Sequence, residues 1–195
     1  MRKKSFGENK KTLLDKFIET VRSKKVITKI PLNSTVLDLG CGFNAQLLSL
    51  IENKIKKGVG IDLSINNNFK SNKISLINSR ADTKLSFPNN SFNIVCALAV
   101  IEHVHNYKVL LSESFRVLKK GGLLLLTTPS RNSKPLLEFL ANTLKVVDAD
   151  EILDHKQYFS TQMLTKLLVD AGFDKKLIKI DKYAVGLAIF AQVQK

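Results

Sequence analysis

From residue 35 onward, short and nearly all-apolar runs alternate with segments of helical character, and few chain topologies accept that pattern. Thr35-Val36-Leu37-Asp38-Leu39 reads as a strand with both faces buried, followed by a helical stretch over residues 45–54. Residues 58–61 read as the next strand, 64–68 as the start of a short helix and 73–77 as a third strand. A strand over 92–97, a helix over 106–118 and a strand over 123–127, entered through Gly121-Gly122, continue the series. Apolar strands joined through helices imply a parallel sheet covered on both faces, hence an α/β fold.

The ends of the chain depart from this rhythm. Residues 8–25 place Leu13, Leu14, Phe17, Ile18 and Val21 at helical spacing with Lys and Arg opposite, which predicts an amino-terminal docking helix within residues 1–30. Beyond the last of the five strands, helices are predicted over 135–147 and 161–171, the second capped by Ser160 with Phe159 as its staple and closed by Gly172. Residues 177–180 then face 185–193 across an Asp181-Lys182 turn, so the sheet ends in an antiparallel hairpin strand. At 195 residues the chain suits one domain. Its parts are the docking helix, a core over 34–130, a Leu- and Val-rich insertion over 131–160, and a last helix and hairpin over 161–195.

The turn after the first strand, Asp38-Leu39-Gly40-Cys41-Gly42-Phe43-Asn44, sits where helix amides and small residues let a ligand approach the backbone. Twenty residues beyond Gly42, Asp62 closes the second strand, where a carboxylate can accept both hydroxyls of a ribose. Asp38 at the same mouth favours an ammonium and opposes a pyrophosphate, and the third glycine of a dinucleotide turn is replaced by Asn44.

These residues resemble a known family. Val36-Leu37-Asp38-Leu39-Gly40-Cys41-Gly42 is similar to the first signature motif of class I, Rossmann-like, S-adenosylmethionine-dependent methyltransferases, and Gly60-Ile61-Asp62-Leu63-Ser64 to their second. Leu85-Ser86-Phe87-Pro88-Asn89-Asn90-Ser91-Phe92 resembles the family's loop into strand four, Val100-Ile101-Glu102-His103-Val104 its strand-to-helix element, and Leu118-Lys119-Lys120-Gly121-Gly122 its turn into strand five. The resemblance implies a three-layer α/β/α sandwich around a mostly parallel seven-stranded sheet, order 3-2-1-4-5-7-6, with the last strand antiparallel. It further implies S-adenosylmethionine as donor, S-adenosylhomocysteine as product and no metal. Asp38, Gly40, Cys41, Gly42, Asp62, Leu63, Asp82 and Ala97 would line the donor site. Asp38 would orient the amino group and Asp62 hold the ribose. Two departures stand out: the adenine-contacting acid falls at Asp82, displaced within Ser79-Arg80-Ala81-Asp82, and the usual Asp after Phe92 is Asn93.

On the acceptor side, transfer from a sulfonium needs mainly an in-line nucleophile and exclusion of water, with a base where the acceptor must lose a proton. His103 at the end of strand four is one candidate base. The other is His155 in Asp154-His155-Lys156-Gln157-Tyr158-Phe159-Ser160, with Tyr158 as an acceptor-side residue. Structural readings compete: His103 as a helix-start residue and the second segment as a helix cap.

The motif set looks closest to the subgroup containing quinone, sugar and metabolite methyltransferases, so a small-molecule, sugar or lipid-like acceptor is the leading expectation. The formal charge of +14 keeps an RNA- or ribosome-directed enzyme open, and contact with an anionic membrane surface as well. A non-catalytic donor-binding protein is a further alternative. Two distant cysteines and no apolar run approaching about 20 residues predict a reducing, cytoplasmic setting without a spanning segment.

Overall fold

A strand that is apolar on both faces must be covered on both, and the computed structural model, which describes residues 13–133, 135 and 156–195, shows how this is done. The elements run α1 (Leu13–Ile27), β1 (Thr35–Leu39), α2 (Gln46–Ile51), β2 (Lys57–Asp62), β3 (Ile74–Asn78), β4 (Phe92–Leu98), α3 (Tyr107–Val117), β5 (Leu118–Pro129), α4 (Thr161–Asp170), β6 (Ile178–Tyr183) and β7 (Ala188–Gln194). One seven-stranded sheet has the order β3-β2-β1-β4-β5-β7-β6. The first five strands pair in parallel, whereas β7 is antiparallel to both β5 and β6.

Alternation along each strand sends side chains into two cores. Val36, Ile94, Cys96, Leu125 and Phe190 meet Val26 near the end of α1, Ile30 in the turn beyond it, and Leu47, Leu48 and Ile51 of α2. Leu37, Leu39, Val95, Ala97, Leu124 and Leu126 meet Leu110 and Leu111 of α3 and Leu164 and Leu168 of α4 on the other face. Three layers result. Ser160 caps α4 by accepting a bond from the Met163 N–H at 3.1 Å, and the fully buried Phe159 packs edge-on against Tyr107. Asn93, in place of the family's Asp, accepts from both the N–H and the hydroxyl of Thr35 and ties β4 to the start of β1.

Three expectations are corrected. Residues 64–68 form no helix, because the Asn66 carboxamide takes the Asn68 N–H at 2.9 Å and reaches Asn44, a local bonding pattern that competes with a helical turn. Gly121 and Gly122 lie inside β5 rather than before it, their backbone groups bonding to Lys195. The hairpin turns at Ala184, Val185 and Gly186 (φ 50°, 55° and 83°), not at Asp181-Lys182, which stay paired with Phe190 and Ile189. The helix predicted over 135–147 lies, apart from Pro135, outside the described residues.

Candidate functional site

The carboxyl ends of β1, β2, β4 and β5 open onto one edge of the sheet, where ligands bind in open α/β folds. Gly40, with φ 71°, turns the chain there, and a Cβ at that position would lie 2.3 Å from Cγ2 of Val100. The N–H groups of Gly40 and Cys41 both donate to the Ile61 carbonyl, at 2.8 and 3.1 Å. The Gly42 N–H donates instead to Oδ2 of Asp62 at 2.8 Å, while Oδ1 accepts from the Leu63 N–H at 2.7 Å. The glycine turn and the acid of β2 are thus one bonded unit, although twenty residues separate them in sequence. A carboxylate oxygen accepts more than one hydrogen bond, so the same group can hold a diol as well as the turn. Leu63, beside it, exposes 46% of its surface at the mouth.

Asp38 is only 3% exposed. Burial pushes its carboxyl up to about 8, the nearby Asp62 charge adds to the rise, and Arg22 opposes it. Arg22 belongs to α1, so a positive charge of the amino-terminal helix bears on the mouth. Sequence reasoning missed it: Arg22 falls on the polar side of an amphipathic helix, and nothing local separates it from neighbouring solvated lysines. Cys41 is a buried thiol held protonated by burial and by the Asp38 charge, and its Sγ donates to the Gly42 carbonyl at 3.4 Å.

Across the mouth, the end of β4 is shaped by β5. The N–H of Ala99, a residue at φ 55°, donates to both the carbonyl and the hydroxyl of Thr127, at 3.0 and 3.1 Å. The chain then runs through Val100 and Ile101 to Glu102, which is fully buried, and the half-buried His103. The His103 N–H donates to the Val100 carbonyl, and its own carbonyl accepts from the Lys156 ammonium. The Lys156 N–H donates to the Glu102 carbonyl at 2.8 Å, so the chain returning toward α4 is fastened to the Glu102-His103 pair. Tyr158, partly buried, follows in that same stretch. His155 lies outside the described residues.

Other predicted residues have different surroundings. Asp82 is buried; burial alone would raise its carboxyl, but bonds from Arg80 at 2.9 Å and from the Asn106 N–H at 3.2 Å hold it below the usual range. Its oxygens therefore fasten the start of α3. Ala97 is fully buried, with its side chain in the core beneath α3 and α4. Among the described residues no group of three or more His, Cys, Asp or Glu gathers as a metal-ligand set, and no helix is long and apolar enough to cross a membrane.

Comparison with known proteins adds to this geometry. Residues 6–177 match the family described as "Methyltransferase domain". Phosphoethanolamine N-methyltransferase 3 of Arabidopsis thaliana is 28% identical over 165 residues, covering 81% of this chain and 32% of that protein. The ubiquinone biosynthesis O-methyltransferase of Psychrobacter arcticus is 26% identical over 163 residues, 72% of this chain and 59% of its own length. The chain therefore spans about a third of the plant relative and under two thirds of the bacterial one. Among solved structures, a SAM-dependent methyltransferase from Thermotoga maritima superposes with TM-score 0.69 at 21% identity, over 92% of this chain and 90% of that one. Another from Archaeoglobus fulgidus gives 0.69 at 19%, over 92% and 94%.

Proposed function

Since the chain belongs to the methyltransferase-domain family, we propose that it transfers the methyl group of S-adenosylmethionine to a small-molecule acceptor. One observation carries this reading: the Asp62 carboxylate that closes β2 takes the Gly42 N–H of the glycine turn at 2.8 Å, with Asp38 buried at the same mouth and the charge of Arg22 bearing on it. Such a site is short of a cation and has an anion receptor next to it, which suits an amino acid moiety whose ammonium meets Asp38 and whose carboxylate meets Arg22. Asp62 would accept the ribose hydroxyls, and Leu63 would pack against the base. A dinucleotide would bring phosphates against Asp38 and fits poorly.

When bound, the donor supplies a sulfonium-activated methyl group, so the protein has mainly to orient and to exclude water. Val100 walls the turn, and Gly40 keeps the backbone clear. His103, held by its backbone at the end of β4, would take the acceptor's proton where the acceptor is a hydroxyl or an ammonium. The insertion over 131–160 is read as acceptor-side: the Arg131 N–H donates to the Phe159 carbonyl at 3.0 Å, so both ends of that stretch meet beside β5. The relatives named for phosphoethanolamine and ubiquinone biosynthesis support a small-molecule acceptor. The buried free thiols of Cys41 and Cys96 support a cytoplasmic setting.

Calorimetry with S-adenosylhomocysteine tests the donor. Wild type should bind, and Asp62→Ala should lose about tenfold or more in affinity, since bonds to a charged group are worth about 1.5–3 kcal/mol. No heat from well-folded wild type would remove the proposal. His103→Ala with full turnover would remove that residue as the base.

A further inference from the structure

The carboxyl end of β6 reaches the same edge of the sheet as the donor turn. Tyr183 pairs with Ala188, and Ala188 with Pro129, the last residue of β5. Register also fixes its face. Asp38 lies beside Cys96, Cys96 beside Leu125, Thr127 two residues on beside Phe190, and Tyr183 on the same side of the hairpin as Phe190. Asp38, Thr127 and Tyr183 therefore point into one layer, the layer of α1.

The surroundings of the phenol are polar at one end and packed at the other. Thr127 bears on its hydroxyl, opposing the effect of burial, and the Thr127 side chain accepts from the Ala99 N–H at the exit of β4. The Lys25 ammonium lies 5.7 Å from the ring centroid and 5.1 Å from that of Phe190, so α1 covers the ring. Arg22 and Glu102 both bear on the hydroxyl, and Arg22 bears on Asp38 as well. Phenylalanine would pack as well against Phe190 and under Lys25. The hydroxyl is the part that core packing leaves unexplained, and it lies where β5 adjoins β4.

We infer that Tyr183 lines the acceptor compartment, its hydroxyl facing the donor's methyl group and offering a hydrogen bond to the incoming acceptor. This rests on the methyltransferase reading, which puts the ribose at β2 and the amino acid end at β1. The acceptor must then continue along the edge over β4 and β5. Strands lie about 4.8 Å apart and rise about 3.3 Å per residue, so Thr127, two strands over and two residues further along, stands about 12 Å from Asp38. That leaves room for a methyl group and a small nucleophile between the ammonium site and the phenol. Burial raises the Tyr183 hydroxyl above its ordinary value, with Arg22 and Thr127 opposing and Glu102 adding. It stays a neutral donor in the working range.

The chain has three tyrosines, so tyrosine labelled with carbon-13 at Cζ gives three signals, and Tyr183→Phe assigns one. The test compares complexes with S-adenosylmethionine and S-adenosylhomocysteine, which differ only in the methyl group and its charge. The Tyr183 signal should differ clearly between the two complexes, while that of Tyr107, packed edge-on against Phe159 in the other core, should coincide. Tyr183→Phe should keep its affinity for S-adenosylhomocysteine within about twofold, because hydrogen bonds to the donor are not lost. If both ligands bind and the Tyr183 signal is the same in both, the inference fails and the donor reading stands. If neither ligand binds, the donor reading itself fails.

Discussion

Replacing Asp38 with Asn should make the protein more stable while depriving it of its donor. The carboxyl is 3% exposed and its pKa is carried from 3.8 to about 8, first by burial and then by Asp62, against the pull of Arg22. At about 1.4 kcal/mol per decade, charging this group inside the fold costs on the order of 5 kcal/mol. The sign follows from proton counting. Between pH 4 and 8 the folded protein keeps a proton that the unfolded chain releases, so stability falls as pH rises through that window and levels off above it. The carboxamide of the variant has no such proton. Urea unfolding should therefore show Asp38→Asn more stable than wild type at pH 9, by at least about 2 kcal/mol after the site relaxes around the charge. The advantage should shrink toward nothing near pH 4. A gap that is the same at pH 5 and pH 9, or a variant less stable at pH 9, would overturn this account of Asp38.

The same carboxyl ties donor binding to protons. An ammonium placed against Asp38 lowers its pKa, so binding of S-adenosylhomocysteine at pH 7 should release a proton, and the calorimetric heat should depend on the ionisation enthalpy of the buffer. Affinity should rise with pH toward about 8 as Asp38 ionises, and decline only at higher pH, where the ligand's own ammonium, kept charged by its neighbouring carboxylate, loses its proton. Asp38→Asn should abolish both the proton release and most of the affinity.

Gly40→Ala should cost about 2–4 kcal/mol, from an L-residue at φ 71° and a Cβ 2.3 Å from Val100, and should remove donor binding; urea unfolding and calorimetry measure the two. Arg116 donates to Glu113, to the carbonyls of Leu85 and Phe87 and to Asn89, clamping the loop into β4, so Arg116→Ala should lose about 2–3 kcal/mol. Because Arg116 holds Glu113 below its usual range, the part due to that pair is present above pH 4.5 and fades as pH falls through the folded value; an acid-independent loss would contradict the pairing.

Much of this was legible in the sequence because strand periodicity and glycine spacing are local signals. The order of β1 to β5 follows from apolar runs, and the Gly42–Asp62 unit from a turn and a strand-ending acid. Arg22, Thr127 and Tyr183 were not legible. Each lies far in sequence from Asp38, and only the return of α1 and the hairpin onto one layer brings them together. The hairpin turn was misplaced for a related reason: Tyr183-Ala184-Val185 has strand-like composition, and the left-handed conformations at 184–186 are imposed by tertiary bonds. The Ser130 N–H donates to the Leu187 carbonyl, and the Ser130 hydroxyl to that of Gly186. Asp82, placed by its segment, also has a structural role that the sequence did not reveal, accepting from Arg80 and from the Asn106 N–H at the start of α3.

The charge of +14 raised the possibility of an RNA acceptor, and the lysines that precede β1, β2 and β3 are not placed to serve it. Lys29, Lys56, Lys57 and Lys73 are exposed at or before the first residues of β1, β2 and β3, the amino edge of the sheet. The donor turn is at the carboxyl edge, about 17 Å away along strands of five or six residues. Lysines here also have structural work: Lys54 donates to the Ile27 carbonyl at the end of α1, and Lys73 itself to the carbonyls of Glu52 and Ile55. A strand of RNA held at the amino edge would not present a base to the methyl group. Exchanging Lys56 and Lys57 for Glu should leave S-adenosylhomocysteine affinity within about twofold, because charges that far apart are screened at ordinary salt. Methyl transfer to a small acceptor should be equally indifferent to the exchange, and a tenfold loss would return the basic edge to the mechanism.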